Sequence, residues 1–210
     1  MKGTIIAWSC DSSERMMMAV NVYISKLIDS IKKTTFITEN GITNNDYNHG
    51  MSMLVETFTW HKQHASQIFF IGNGGSSAIA SHMTADFMKN GGMNTYSLYD
   101  NAVTTCMGND WGYEYIFSKP LEFLLRSEDL LVAISSSGNS QNIINAIEVA
   151  KQKGASVITF TGFESDNKVK QMGNINVYVP SGKYGMVESI HNLILQQVVD
   201  EILERDGVGI

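Results

Sequence analysis

Twice in this chain a short apolar run passes straight into a turn of glycine, asparagine and serine, and then into a helix-forming segment. The first instance is Gln67-Ile68-Phe69-Phe70-Ile71 followed by Gly72-Asn73-Gly74-Gly75-Ser76-Ser77. The second is Leu130-Leu131-Val132-Ala133-Ile134 followed by Ser135-Ser136-Ser137-Gly138-Asn139-Ser140. Strand and helix that alternate in this way leave few folds open. The strands lie parallel and helices cover both faces of the sheet. Further strands are predicted at 94–98, 156–160 and 175–179, giving five in all with 67–71 and 130–134. Helices are predicted at about 76–89, 113–125, 140–153, 166–172 and 186–205. The expectation is a three-layer α/β/α sandwich around a five-stranded parallel sheet. Right-handed crossovers put the strand C-termini, and so both polar turns, on the edge where open α/β sheets bind ligands.

Ahead of this unit the pattern changes. Residues 1–15 fit no periodicity and read as a loose arm. From Met16 onward Val20, Ile24, Leu27, Ile28 and Ile31 recur at three- and four-residue intervals, the mark of an amphipathic helix. Residues 34–46 break the pattern and read as a loop, and a second helix is expected from about Tyr47 to His64. The chain therefore divides into an N-terminal arm and packing helix, 1–45, and an α/β domain, 46–210.

Composition narrows the function. A net charge of −6 with no basic run gives no footprint for nucleic acid or an anionic membrane surface. No stretch is apolar for long enough to span a bilayer. Two cysteines, Cys10 and Cys106, make no disulfide framework or zinc knuckle, and the expected location is cytoplasmic. An anionic ligand in so acidic a chain is held locally, by N–H groups and hydroxyls. The second turn offers these: four serines in six residues, with one glycine to bend the chain, present several donors and no charge. That chemistry fits phosphate at a helix N-terminus. Plain capping explains Ser140 and Asn139 equally well, and turn geometry explains Gly74 and Gly75. His61 and His64 fit a helix C-terminus, and the twelve methionines fit core and interface packing.

In order along the chain, Gly72-Asn73-Gly74-Gly75-Ser76, His82, Gly108-Asn109-Asp110-Trp111-Gly112-Tyr113, Ser135-Ser136-Ser137-Gly138-Asn139-Ser140, Thr159-Phe160-Thr161-Gly162 and Glu188-Ser189-Ile190-His191 resemble the sugar isomerase (SIS) fold, and within it the phosphoheptose isomerases. The resemblance covers about 50–205. It implies a flavodoxin-like topology with two N-terminal helices and a homotetramer with sites at subunit interfaces. The implied activity is conversion of sedoheptulose 7-phosphate to D-glycero-D-manno-heptose 7-phosphate, for the heptoses of lipopolysaccharide or capsule. It assigns phosphate and sugar binding to Asn73, Gly74, Gly75, Ser76, Asn109, Asp110, Ser135, Ser136, Ser137 and Ser140. Asp110 is also a helix-capping type, and His191 matches a family histidine other than the catalytic one, so a structural hydrogen bond or a supporting role behind the site is expected of it.

The resemblance departs where the chemistry is. Aldose–ketose isomerisation needs a base for the proton that moves between C1 and C2. The family glutamate four residues after His82 is Asp86 here, shorter by one methylene, about 1.5 Å of chain. The family histidine on the last helix is Gln196, which transfers no proton near neutral pH. A family glutamine becomes Glu188, and a phosphate-binding arginine becomes Asn90, with Lys89 beside it. The implied zinc set is therefore His82, Asp86, Glu188 and Gln196. Two readings follow: an isomerase that works through His82 with Asp86 or Glu188 as base, or a non-catalytic phosphosugar-binding regulator of the kind associated with replication initiators.

Overall fold

The computed structural model describes residues 10–207. Helix α1 spans Cys10–Lys32, strand β1 Thr35–Thr38, β2 Thr43–Asn44 and α2 Tyr47–Gln63. The α/β unit follows as β3 Gln67–Gly72, α3 Gly75–Lys89, β4 Asn94–Ser97, α4 Asn101–Asp110, α5 Ser118–Leu124, β5 Leu130–Ser135, α6 Gln141–Lys153, β6 Ser156–Thr161, β7 Ile175–Tyr178 and α7 Tyr184–Arg205. The five strands expected as a parallel sheet are present in the order β4-β3-β5-β6-β7, all parallel, the flavodoxin-like order.

The sheet is nevertheless seven-stranded and mixed, which corrects the five-stranded expectation. β1 pairs antiparallel with β7, and β2 antiparallel with β1. These strands lie in the segment read as a loop, and the sheet therefore takes residues from both sides of the expected boundary at 45/46. Thr35-Phe36-Ile37-Thr38 is β-branched and aromatic, a good strand on its own. It is too short for its periodicity to stand out, and its place between β2 and β7 is set by pairing to them. Phe36 is fully buried, its ring where a Cβ on Gly50 of α2 would have to sit. The N-terminal helix begins at Cys10 rather than Met16; residues 1–9 of the expected arm lie outside the described residues.

Side chains alternate across the sheet. Ile68, Phe70, Leu130, Val132, Ile134, Ile158 and Phe160 pack against α2, α3 and α7. Phe69, Ile71, Leu131, Ala133 and Val157 pack against α5 and α6. This is the period of two expected for a sheet buried on both faces. Leu27 and Ile31 of α1 join the first cluster, whereas Val20, Ile24 and Ile28 of the same helix stay exposed.

Three further differences bear on the site. The helix expected over 113–125 is a single 3-10 turn, Tyr113–Tyr115, and then α5. Pro120 sits in the first turn of α5, where its missing N–H costs no helical hydrogen bond. The helix expected at 166–172 is a 3-10 turn, Lys168–Gln171. Helix α4 lies where none was expected. It buries no residue and so leaves no apolar stripe to read; Asp100 caps it by accepting from the Val103 N–H at 2.9 Å. Asp110 ends α4, so it does not cap the segment after it. No helix of the described residues is long and apolar enough to cross a membrane.

Candidate functional site

Both polar turns open into one cavity of about 370 Å³. It is lined by Asn73, Gly74, Gly75, Ser76, Ser135, Ser136, Ser137, Ser140, Tyr184 and Glu188. Eight of the ten residues expected to bind phosphate or sugar thus converge. Asn109 and Asp110 do not: they lie at the exposed end of α4, where the Asn109 amide donates to the Asp110 carboxylate at 2.8 Å.

Backbone geometry makes the cavity a donor site. Helices α3 and α6 both begin at it, and neither N-cap, Gly74 or Ser140, makes a side-chain capping bond. Their first N–H groups are left for a ligand, and two helix dipoles point positive ends at it. Gly74 has φ +55° and Gly138 φ +61°, the left-handed region that glycine enters without strain. A Cβ on Gly138 would also overlap the Asn167 side chain. The Ser135 hydroxyl accepts from the Gly138 N–H at 3.2 Å, and that of Ser137 from the Asn139 N–H at 3.4 Å. Both keep an O–H to donate. Ser136 Oγ is buried and has no partner. Such a group costs about 1–3 kcal/mol, a cost that an accepting phosphate oxygen removes.

The first turn is held by amides. Asn73 and Asn142 exchange two hydrogen bonds at 2.9 Å each, and the Tyr113 hydroxyl donates to Asn73 Oδ1 at 3.0 Å. Asn73 therefore secures the turn as well as lining it. Tyr99 is tied to both backbone groups of Gly72: its hydroxyl accepts from the N–H at 2.6 Å and donates to the carbonyl at 2.9 Å. Burial pushes its phenol pKa up and keeps it neutral. Tyr113 belongs to the motif that carries the resemblance, whereas Asn142 and Tyr184 have no sequence signal, since single polar or aromatic residues on helices carry no spacing pattern.

Glu188 is the one carboxylate among the residues lining the cavity. Its carboxyl group lies against the start of α3, where a Cβ on Gly75 would overlap it. Burial raises its pKa above the usual carboxylate value. His82, Asp86 and Gln196 form a separate trio. The Gln196 amide donates to Asp86 Oδ2 at 2.5 Å and contacts His82 Nε2 at 3.0 Å, while His82 Nε2 lies 3.4 Å from Asp86 Oδ2.

Of the implied zinc set, Glu188 lines the serine cavity, whereas His82, Asp86 and Gln196 contact one another. Among the described residues no three His, Cys, Asp or Glu side chains gather as metal ligands. His191 is fully buried, its Nε2 3.1 Å from the Thr161 carbonyl, consistent with a structural role. His61 is buried near the end of α2, and His64 caps that end, its Nδ1 2.7 Å from the Trp60 carbonyl.

A mixed sheet with five parallel strands between two helical layers, with two uncapped helix starts at one serine-lined cavity, defines an α/β domain of the SIS class. The family model of the SIS domain matches residues 44–162. A phosphoheptose isomerase from Akkermansia muciniphila is 35% identical over 150 residues, 69% of this chain and 78% of that protein. One from Sulfurimonas denitrificans is 31% identical over 185 residues, 85% and 91% of the two chains. The structures of phosphoheptose isomerases from Neisseria gonorrhoeae and Francisella tularensis superpose with TM-scores of 0.75 and 0.76 at 26% identity. Each covers 90% of this chain, and 99% and 98% of its own. The chain belongs to the SIS-domain family, in its phosphoheptose isomerase branch.

Proposed function

We propose that this protein interconverts sedoheptulose 7-phosphate and D-glycero-D-manno-heptose 7-phosphate, with Glu188 as the proton-transferring group. The observation that carries the reading is the placement of one burial-perturbed carboxylate in the same cavity as the serine turn. The uncapped N–H groups and the hydroxyls of Ser135, Ser136, Ser137 and Ser140 take the phosphate. The ionised Glu188 removes the C1 proton of the ketose. The electron pair moves through the C1–C2 bond onto the carbonyl, and O2 takes a proton from water, giving an enediol. Return of the carbon-derived proton from Glu188 to C2, with loss of the O1 proton to water, yields the aldose. A raised pKa makes the carboxylate a stronger base than a free one, which suits the removal of a carbon-bound proton.

The relatives' names support the reaction class. The cavity supports the phosphate. A homotetramer is part of the proposal, supported by the exposed Val20, Ile24 and Ile28 on α1, an apolar stripe that a second copy would cover. A cytoplasmic location goes with it, since phosphorylated sugars are cytoplasmic metabolites. The test is incubation of the purified protein with sedoheptulose 7-phosphate, followed by NMR of the products, for the wild type and Glu188→Gln. An aldoheptose 7-phosphate formed by the wild type and lost in the variant meets the expectation. Ligand binding without product in the wild type overturns it in favour of a phosphosugar-binding regulator.

A further inference from the structure

Phe163 is one of two non-glycine residues with positive φ among the described residues, at +55°. For a bulky side chain this conformation is an outlier, costing about 1–3 kcal/mol, and persists only where the surroundings impose it. The surroundings here are the rim of the serine cavity. The Phe163 N–H donates to the Ser181 carbonyl at 3.0 Å, and its carbonyl accepts from the Tyr178 hydroxyl at 2.9 Å. One residue earlier, the Gly162 N–H donates to the Ser136 carbonyl at 3.0 Å. Gly162 also passes so close to α7 that a Cβ would sit 2.7 Å from Val187 Cγ1. The segment is thus clamped between the serine turn and the first turn of α7.

This clamp delivers the Phe163 ring to Tyr184. The two stand edge to face, with centroids 4.8 Å apart and planes at 76°. Tyr184 opens α7 one turn before Glu188, which places both on one face of the helix, and both line the cavity. Tyr184 is 62% exposed. A large ring held in place by a strained neighbour, yet left open at the mouth of a polar cavity, is arranged to meet a ligand.

We propose that Tyr184 contacts the bound phosphosugar, its ring covering the carbon chain between the phosphate and the reacting end, and that Phe163 is its positioning residue. The inference rests on the reading of the cavity as a phosphosugar site. The ring face supplies apolar contact to the C–H groups of the sugar, whereas the phosphate is held by the two turns without it. Sugar and phosphate recognition are therefore separable.

The experiment is calorimetric titration of the full chain with two probes, sedoheptulose 7-phosphate and inorganic phosphate. Tyr184→Ala is expected to weaken the sugar phosphate about tenfold and to leave inorganic phosphate within about twofold. Tyr184→Phe, which keeps the ring, stays near the wild type for both. Phe163→Ala gives the same selective loss, and Phe163→Tyr, which keeps the edge-to-face partner, restores it; a merely structural role would not separate the probes. Unchanged sugar-phosphate affinity in Tyr184→Ala overturns the contact while the cavity reading stands. Equal loss of both probes in either alanine variant assigns a structural role and also overturns it. A wild type that binds neither probe overturns the cavity reading and this inference together.

Discussion

Replacement of Gly75 by alanine separates the chemistry of the site from its stability. Gly75 is the first residue of α3 and its φ is not positive, so its backbone accepts alanine without strain. Alanine is also the better helix residue, by up to about 1 kcal/mol, which for a chain of this size raises Tm by about 2–4 °C. What the new Cβ meets is the Glu188 carboxyl group, the far end of a flexible side chain. Glu188 must swing aside by roughly an ångström, and misplacement on that scale costs about 100-fold in rate, or about 2.7 kcal/mol of transition-state stabilisation. The N–H groups of the turn are untouched, so the loss falls on kcat and leaves KM near the wild-type value. The assay pairs a thermal melt with turnover of sedoheptulose 7-phosphate. A variant with wild-type kcat would refute the assignment of Glu188, since a displaced base that still works is not the base. A Tm several degrees lower would refute the reading of the overlap as one that only a side chain must relieve.

Ser136→Ala removes the buried hydroxyl that has no partner; the apo protein becomes slightly more stable by melting, while phosphate affinity by calorimetry falls about tenfold. Glu188→Gln keeps the fold and lowers kcat at least about 100-fold, measured by product NMR. Because burial raises the Glu188 pKa above its ordinary value of 4.5, and the working form is ionised, the acid limb of the kcat/KM profile lies at higher pH than for a free carboxylate. A limb at or below the ordinary value would contradict this. The same raised pKa means that Glu188 disfavours the fold once it is ionised, so Glu188→Gln is more stable than the wild type above that limb and the difference closes below it. His191 is fully buried, and burial lowers its pKa from 6.5 to about 4. Its stabilising contribution is complete above pH 6.5, is lost as pH falls toward 4, and amounts to about 3 kcal/mol. Urea midpoints between pH 7.5 and 4.5 should drop accordingly, and less steeply in His191→Gln.

What was legible in the sequence follows from how each element is stabilised. β3 to β7 and α3, α6 and α7 owe their place to apolar side chains buried at regular spacing, and that spacing is written in the chain. Helix α4 buries nothing and rests on the Asp100 cap, so periodicity has no purchase on it. β1 is held by backbone pairing to β7, with Phe36 opposite Val177, 141 residues further along; β2 pairs with β1, and the Asn174 amide donates to Glu39 at 2.6 Å. A contact of that range leaves no local trace. Turn chemistry was legible for a different reason. Serine, asparagine and glycine at the C-terminal ends of β3 and β5 act through their own backbone, so identity and position suffice to gather eight residues at one cavity.

The same logic explains why the acid–base group was harder to place. Spacing along α7 puts Glu188 and Gln196 on roughly one face, and spacing along α3 does the same for His82 and Asp86. A shared face is not a shared site. The two helices pack so that Gly75 meets Glu188 and Asp86 meets Gln196, and positions eight apart on one helix meet different turns of the other. The phosphate turn lies at only one end of this helix pair. Glu188 is at that end, one turn from Tyr184, and the trio of His82, Asp86 and Gln196 is at the other. Which carboxylate lines the cavity with the serine turn thus follows from the pairing of two helices, a tertiary fact that neither helix encodes alone. It makes Asp86→Asn the complement of Glu188→Gln: if the cavity is the site, Asp86→Asn retains turnover within about threefold, the scale of a lost surface contact. Loss as deep as that of Glu188→Gln would move the base to the trio.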